Sequence, residues 1–212
     1  METPPLPPDI RELAIVAGHP ALDFVNTVDD PTGPHRHDHV GTYPALVFWS
    51  VRVGTLPAGA ADRLLHAAEA APGRAAAVVR RGATLRTALE DTFGALADGA
   101  EVAPRWPALR PFVAEALART DLTGAPPAPA WPDDDLEAPL WPLAESAYRL
   151  LTDPAPARLK RCAGCPWLFL DRSRNGSRRW CAMGDCGTHE KIRRYVTKRA
   201  RQRTGGTPTR RP

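Results

Sequence analysis

Long apolar runs are missing from this chain. No stretch approaches the roughly 20 consecutive apolar residues of a membrane-spanning helix, so the sequence predicts no contact with a bilayer interior. The start, Met1 to Asp9, is Pro-rich and acidic where a secretory leader would be basic and then apolar, and the expectation is a cytoplasmic protein. Cysteine is absent before position 162; all four cysteines fall between 162 and 186. In a reducing compartment such a cluster points to a metal rather than to disulfides. The chain also lacks a phosphate-binding loop and a nucleophile elbow. With the four thiols used as ligands no catalytic constellation remains, and no enzyme is expected. Acidic residues, finally, are scarce near the end: residues 158–212 carry 3 against 16 basic ones, whereas residues 1–157 carry 21 against 12. The two parts are formally +13 and −9, the asymmetry of a polyanion-binding appendage on a differently charged body, unless the basic part simply pairs with the acidic one.

What is present organises as helices. In the segment Gly18 to Asp30, GHPALDFVNTVDD, Ala21, Leu22, Val25 and Val28 recur at helical spacing beside Phe24, predicting a short buried helix. Asp23 and Asn26 on this apolar segment are expected to be buried and hydrogen-bonded or capping. Asp30 to Gly41 reads as a loop whose His35, His37 and His39, with Asp38, form a weak metal-binding tract or simply a solvated stretch. Leu46, Trp49 and Val53 predict a helix stopped by Gly54. Ala60 to Ala71 and Arg74 to Ala97 predict a helical pair joined at Pro72-Gly73, Pro107 to Arg119 another helix, and Leu140 to Leu151 a last one before Asp153-Pro154. Gly124 to Asp135, rich in proline, reads as a loop or extended edge segment. The fold class expected is mainly α, α+β overall: a helical domain over 1–155, regulatory or dimerising, a small treble-clef-like zinc finger over 156–203 and a disordered basic tail over 204–212.

The finger follows from ligand spacing. Cys162-x2-Cys165, fifteen residues, then Cys181-x4-Cys186 can surround one zinc ion with four thiolates at about 2.3 Å, the two-residue gap letting one tight turn present both sulfurs. Trp167 to Leu170 form an apolar run, Asn175-Gly176 is a favoured hairpin turn, and Arg178 to Cys181 is expected to return as the second strand. Trp167, Phe169 and Trp180 would be the core of so small a module. From Gly187 onward a helix is expected. At 100° per residue, Tyr195 and Val196 lie within about 60° of Ile192, a face for the zinc core, while Lys191, Arg194, Lys198 and Arg201 fall between about 180° and 260°, a basic stripe. His189 is a spare donor, since four cysteines already close a structural site.

Zinc with four thiolates has a formal charge of −2, which does not exhaust an excess of thirteen; the surplus suits phosphates. The candidate nucleic-acid contacts are Arg172, Arg174, Asn175, Arg178 and Arg179 around the turn, together with Lys191, Arg194, Lys198 and Arg201 on the helix. DNA is favoured over RNA as partner. The alternative is an adaptor whose finger docks on an acidic protein. A homodimer and a small-molecule effector bound by the N-terminal domain are further expectations.

These residues carry a resemblance. The segment Arg158 to Tyr195, RLKRCAGCPWLFLDRSRNGSRRWCAMGDCGTHEKIRRY, resembles the CGNR zinc-finger family, whose hallmark is W-L-F followed by S-R-N-G-x-R-R-W-C before the last cysteine. Gly18 to Asp30 resembles the opening of the ABATE-type domain that usually precedes this finger. The resemblance implies a bacterial DNA-binding transcription regulator with zinc on the four cysteines. The chain departs from the naming motif after Cys186-Gly187, with Thr188 and His189 in place of Asn and Arg: either a phosphate or base contact is lost, or packing and capping differ.

Overall fold

A computed structural model describes residues 6–153 and 158–204, with the side chains at 194, 198 and 200–204 also outside the description. A short helix α1 (Pro8–Glu12) leads into α2 (Pro20–Val25), the expected buried helix, which Pro20 starts and Asn26 ends. Val28 is not on it but in a two-residue strand β1 (Val28–Asp29), paired antiparallel with β2 (His37–Asp38) inside the stretch read as a loop. Helix α3 (Tyr43–Arg52) is capped by Thr42, whose hydroxyl accepts from Ala45 N–H at 3.3 Å. It stops where Gly54 takes φ +75°, the left-handed region that a residue with a Cβ resists. Helices α4 (Ala60–Ala70) and α5 (Pro72–Ala97) are the expected pair, Pro72 standing in the first turn of α5 where its missing N–H has no partner to lose.

Helix α6 (Trp106–Ala118), a hairpin of β3 (Asp121–Thr123) and β4 (Ala128–Ala130), and α7 (Trp141–Thr152) complete the body. The long α5 is its spine, contacting α2, α3, α4 and α6, while α2 also packs on α7. At Gly82 of α5 an added Cβ would sit 3.3 Å from Leu140, so the missing side chain makes room for Leu140, the residue that caps α7. Phe24, Trp49, Leu85, Leu89, Phe93 and Leu143 are completely or almost completely buried.

The last part differs from expectation in its pairing. Strand β5 (Arg158–Arg161) precedes the first cysteine pair and pairs antiparallel with β6 (Leu168–Asp171), Leu159 opposite Leu170 and Arg161 opposite Leu168. The β-hairpin therefore flanks the Cys162–Cys165 knuckle, and Arg178 to Cys181 returns as irregular chain. Helix α8 (Cys186–Thr204) follows. Its apolar residues do not press on the zinc core: Ile192, Tyr195 and Val196 are 56%, 59% and 59% exposed. Apart from Thr204, the tail expected at 204–212 lies outside the described residues.

Candidate metal centre and nucleic-acid interface

All four cysteines are free, and their sulfurs lie within 4.8 Å of one another. Cys181 Sγ is 3.6 Å from Cys165 Sγ and 3.7 Å from Cys186 Sγ. A tetrahedron of sulfurs about 2.3 Å from a central zinc has edges of about 3.8 Å, whereas a disulfide needs about 2.05 Å, so the group fits a metal and not a bridge. Local geometry builds the cage. Cys162 N–H closes the knuckle on Trp167 C=O at 2.8 Å, and Cys162 Sγ accepts from Gly164 N–H at 3.4 Å and Cys181 N–H at 3.2 Å. A Cβ at Gly164 would come within 3.1 Å of Cys186 Cβ, so glycine lets the start of α8 reach the knuckle.

The thiols are coupled through the hydrogen bonds between them. The hydrogen bond from Cys165, assisted by those from Cys162 and Cys186, pulls the Cys181 thiol down to about 6. Donating that bond, and burial, push Cys165 far up; burial pushes Cys186 up to about 12. One thiolate is stabilised only while its neighbours stay protonated, so a central divalent cation is what lets all four ionise. The centre is one structural zinc per chain, held by Cys162, Cys165, Cys181 and Cys186.

The finger is bonded into the body. Asn26, 2% exposed, accepts from Leu168 N–H at 3.0 Å and donates Nδ2–H to Leu168 C=O at 2.8 Å, imitating a neighbouring strand along β6. Leu170 N–H continues the edge to Ala17 C=O at 2.9 Å. Asp23 orders the segment offering that carbonyl, accepting from Val16 N–H at 3.0 Å and Ala17 N–H at 2.9 Å. At Gly94 of α5 an added Cβ would stand 2.3 Å from the Arg161 guanidinium, which crosses there to bind Asp98 through both carboxylate oxygens at 2.9 and 3.0 Å. Leu168, Phe169 and Leu170 are consequently buried in the common core.

Among the expected contact residues, Arg178 is a structural group instead. Its guanidinium donates to Trp180 C=O at 2.9 Å, to Cys181 C=O and to Val16 C=O at 3.1 Å, and lies 4.4 Å over the Phe169 ring. Beside it, Asp171 accepts from Lys160 Nζ at 2.7 Å, Ser173 Oγ at 2.6 Å, Ser173 N–H at 2.9 Å and Arg178 N–H at 3.1 Å. The Lys160 bond first, and then those from Ser173, hold its carboxyl well below the usual carboxylate range. Trp167 and Trp180 are only partly buried and Phe169 fully, so Phe169 anchors the core expected of the three.

Arg172, Arg174, Asn175 and Arg179 remain on the surface around the turn at Gly176, whose φ is +59°. Arg172 donates to Gly18 C=O at 2.8 Å, and Arg179 lies 5.3 Å over Trp180. Lys191 is exposed; the side chains of Arg194, Lys198 and Arg201 lie outside the described residues. Among the described residues, Arg174, Arg179 and Lys191 make no ion pair, so the basic part is not used up in neutralising the body. Thr188 Oγ1 bonds Met183 C=O at 3.1 Å and His189 N–H bonds Asp185 C=O at 2.9 Å, while the His189 side chain is 78% exposed and no ligand. The replaced pair thus belongs to the first turn of α8. His37 and His39 stack edge to face at 4.5 Å, and His39 binds Asp29 at 2.8 Å, which ties the small hairpin together.

The asymmetry of the centre's surroundings restricts where a polyanion approaches. Cys165, Cys181 and Cys186 border a cavity of about 390 Å³ that Asp9, Glu12, Asp29, Asp30 and Asp185 also line. That side repels phosphate. Comparison with family models matches residues 158–202 to the CGNR zinc finger and residues 18–154 to the ABATE family, described as "putative stress-induced transcription regulator". A search of curated proteins finds no match. No helix among the described residues is long and apolar enough to cross a membrane.

Proposed function

Because the chain belongs to the ABATE family and ends in a CGNR zinc finger, a zinc-binding regulator architecture, we propose that it regulates transcription by binding DNA through the basic finger. The observation that carries this is α8. It starts at the metal ligand Cys186, and every described side chain from Lys191 to Arg199 is exposed, apolar ones included. A helix solvated on all sides gains little from its own core and is marginal alone; inserted in a major groove it is contacted around much of its circumference. There Lys191 and its basic neighbours meet phosphates, while Ile192 and Val196 offer apolar contact to thymine methyl groups. Arg174, Arg179 and Asn175 supply a second set of donors from the turn.

The body's part is positional. Asn26, Leu170 and Arg178 fix the finger on a net-negative domain that has no attraction for phosphate, so binding falls to the finger and its orientation to the body. No catalytic step belongs to this reading. Since one helix reads few base pairs, specificity comes from two copies on one site or from DNA shape.

The test is fluorescence anisotropy with zinc-loaded full-length protein and labelled duplex DNA, single-stranded DNA and RNA across a salt series. Duplex should bind most tightly, with affinity falling steeply as salt rises. Preference for RNA, or no binding to any nucleic acid, would overturn the reading, and the second result would favour an acidic protein partner.

A further inference from the structure

Nitrogen-bearing side chains from both halves of the chain, two of them arginines, converge on a cavity of about 520 Å³ between α7 and the end of β6. Arg149 comes from α7, Arg172 from the finger just after β6, and His19 from the residue before α2. The volume is within the roughly 300–1,000 Å³ of small-molecule sites. Leu150 and Leu170 give it apolar wall.

Three features make it a site rather than a crevice. His19 Nδ1 is buried and has no hydrogen-bond partner among the described residues, and the imidazole contributes a wall of the cavity. Burial, followed by the charges of Arg172 and Arg149, lowers His19 to about 4, so the imidazole is neutral at pH 7 and adds no charge of its own beside the two guanidiniums. Arg172 uses one N–H on Gly18 C=O, and Arg149, whose side chain is 67% exposed, pairs with Glu145 at 3.6 Å. Glu145 and Asp153 also line the cavity, so an anion bound here competes with their carboxylates for the two guanidiniums.

We propose that this cavity binds a small organic anion, a carboxylate or a phosphate ester, with its oxyanion between Arg149 and Arg172 and its remainder against the His19 ring and the two leucines. Planar guanidinium forks match oxyanions in bidentate geometry, and the two leucines accommodate a short carbon chain. The occupant touches α7 and the finger at once, so it bridges the junction that orients α8. The proposal stands independently of what α8 binds.

The experiment is isothermal titration of zinc-loaded full-length protein with inorganic phosphate, glycerol 3-phosphate, acetate and butyrate. At least one should bind saturably at one site per chain; phosphate compounds against carboxylates identify the class. Arg149→Ala, at an exposed position that leaves the fold intact, should weaken that binding at least tenfold, and Arg80→Ala, which removes an equal charge on α5 away from the cavity, should change it less than twofold. No saturation by any probe up to about 10 mM, an affinity weaker than about −2.7 kcal/mol, would overturn the proposal. So would equal effects of the two substitutions.

Discussion

Replacing Asn26 by alanine removes the side chain that satisfies both backbone groups of Leu168. Asn26 is 2% exposed and Leu168 0%, so in the variant an N–H and a C=O are left inside the protein with little access to water. Each unsatisfied group costs about 1–3 kcal/mol, and partial relaxation toward solvent makes about 2–4 kcal/mol the expected total. Against a typical stability of about 5–15 kcal/mol that is a large fraction. For a chain of this size each kcal/mol lowers Tm by about 2–4 °C, which gives a fall of roughly 5–15 °C. Thermal unfolding followed by circular dichroism measures it, and zinc release to a chromophoric chelator shows whether the finger loosens with the body. Asn26→Asp is the sharper variant: it keeps an acceptor for Leu168 N–H but sets a carboxylate against Leu168 C=O, and should destabilise at least as much. If both variants melt within about 1 °C of the parent, the clamp contributes nothing and the finger's placement on the body has another cause.

Metal analysis should find one zinc per chain, and Cys162→Ser should lose it together with the finger's fold, because Cys162 Sγ also accepts two backbone N–H groups. Lys191→Ala should leave zinc and Tm unchanged while lowering the slope of log affinity against log salt by about one unit, whereas Arg178→Ala should lower Tm and disturb the metal site; the opposite pattern would exchange their roles. Because the folded state holds Asp171 below the unfolded value of 3.8, its contribution is present above that pH and is lost as pH falls below it, so Asp171→Asn should flatten the acid limb of a stability-versus-pH curve followed by tryptophan fluorescence.

Local signals read well from the sequence where the answer was local. The period of three to four residues gave α4 to α7 to within a residue or two and the end of α3, Gly54 and Pro72 marked boundaries by what their backbones can adopt, and the cysteine spacing gave the metal. Pairing was not local. The apolar run Trp167 to Leu170 has a strand's composition, but its partner could be the segment before the knuckle or the one after Gly176. The choice of β5 follows from the knuckle turn itself, which carries the chain straight back antiparallel. The helical count placed Ile192, Tyr195 and Val196 on one face, correctly, but periodicity states only which residues share a face, not what covers it. Arg178 looked like its neighbours because composition cannot distinguish an arginine with carbonyls in reach from one without. Asn26 did carry a signal, a polar residue on an apolar helix, yet its partner is 142 positions away.

Docking changes the meaning of the charge asymmetry. Were the finger tethered loosely, a net −9 body and a net +13 appendage would attract, and the basic surface would be masked by the acidic one. The structure instead joins them through backbone carbonyls and apolar strand residues, with Arg161 meeting Asp98 at the edge. The guanidiniums of Arg172 and Arg178 cross to uncharged acceptors, and among the described residues Arg174, Arg179 and Lys191 make no ion pair. The acidic cavity beside the zinc centre adds a direction, because phosphates are repelled from that side and α8 with the turn is the approach left open. A body so attached holds the finger in one orientation, because Asn26 clamps Leu168, Ala17 bonds Leu170 and Val16 bonds Arg178 at three successive points of one edge.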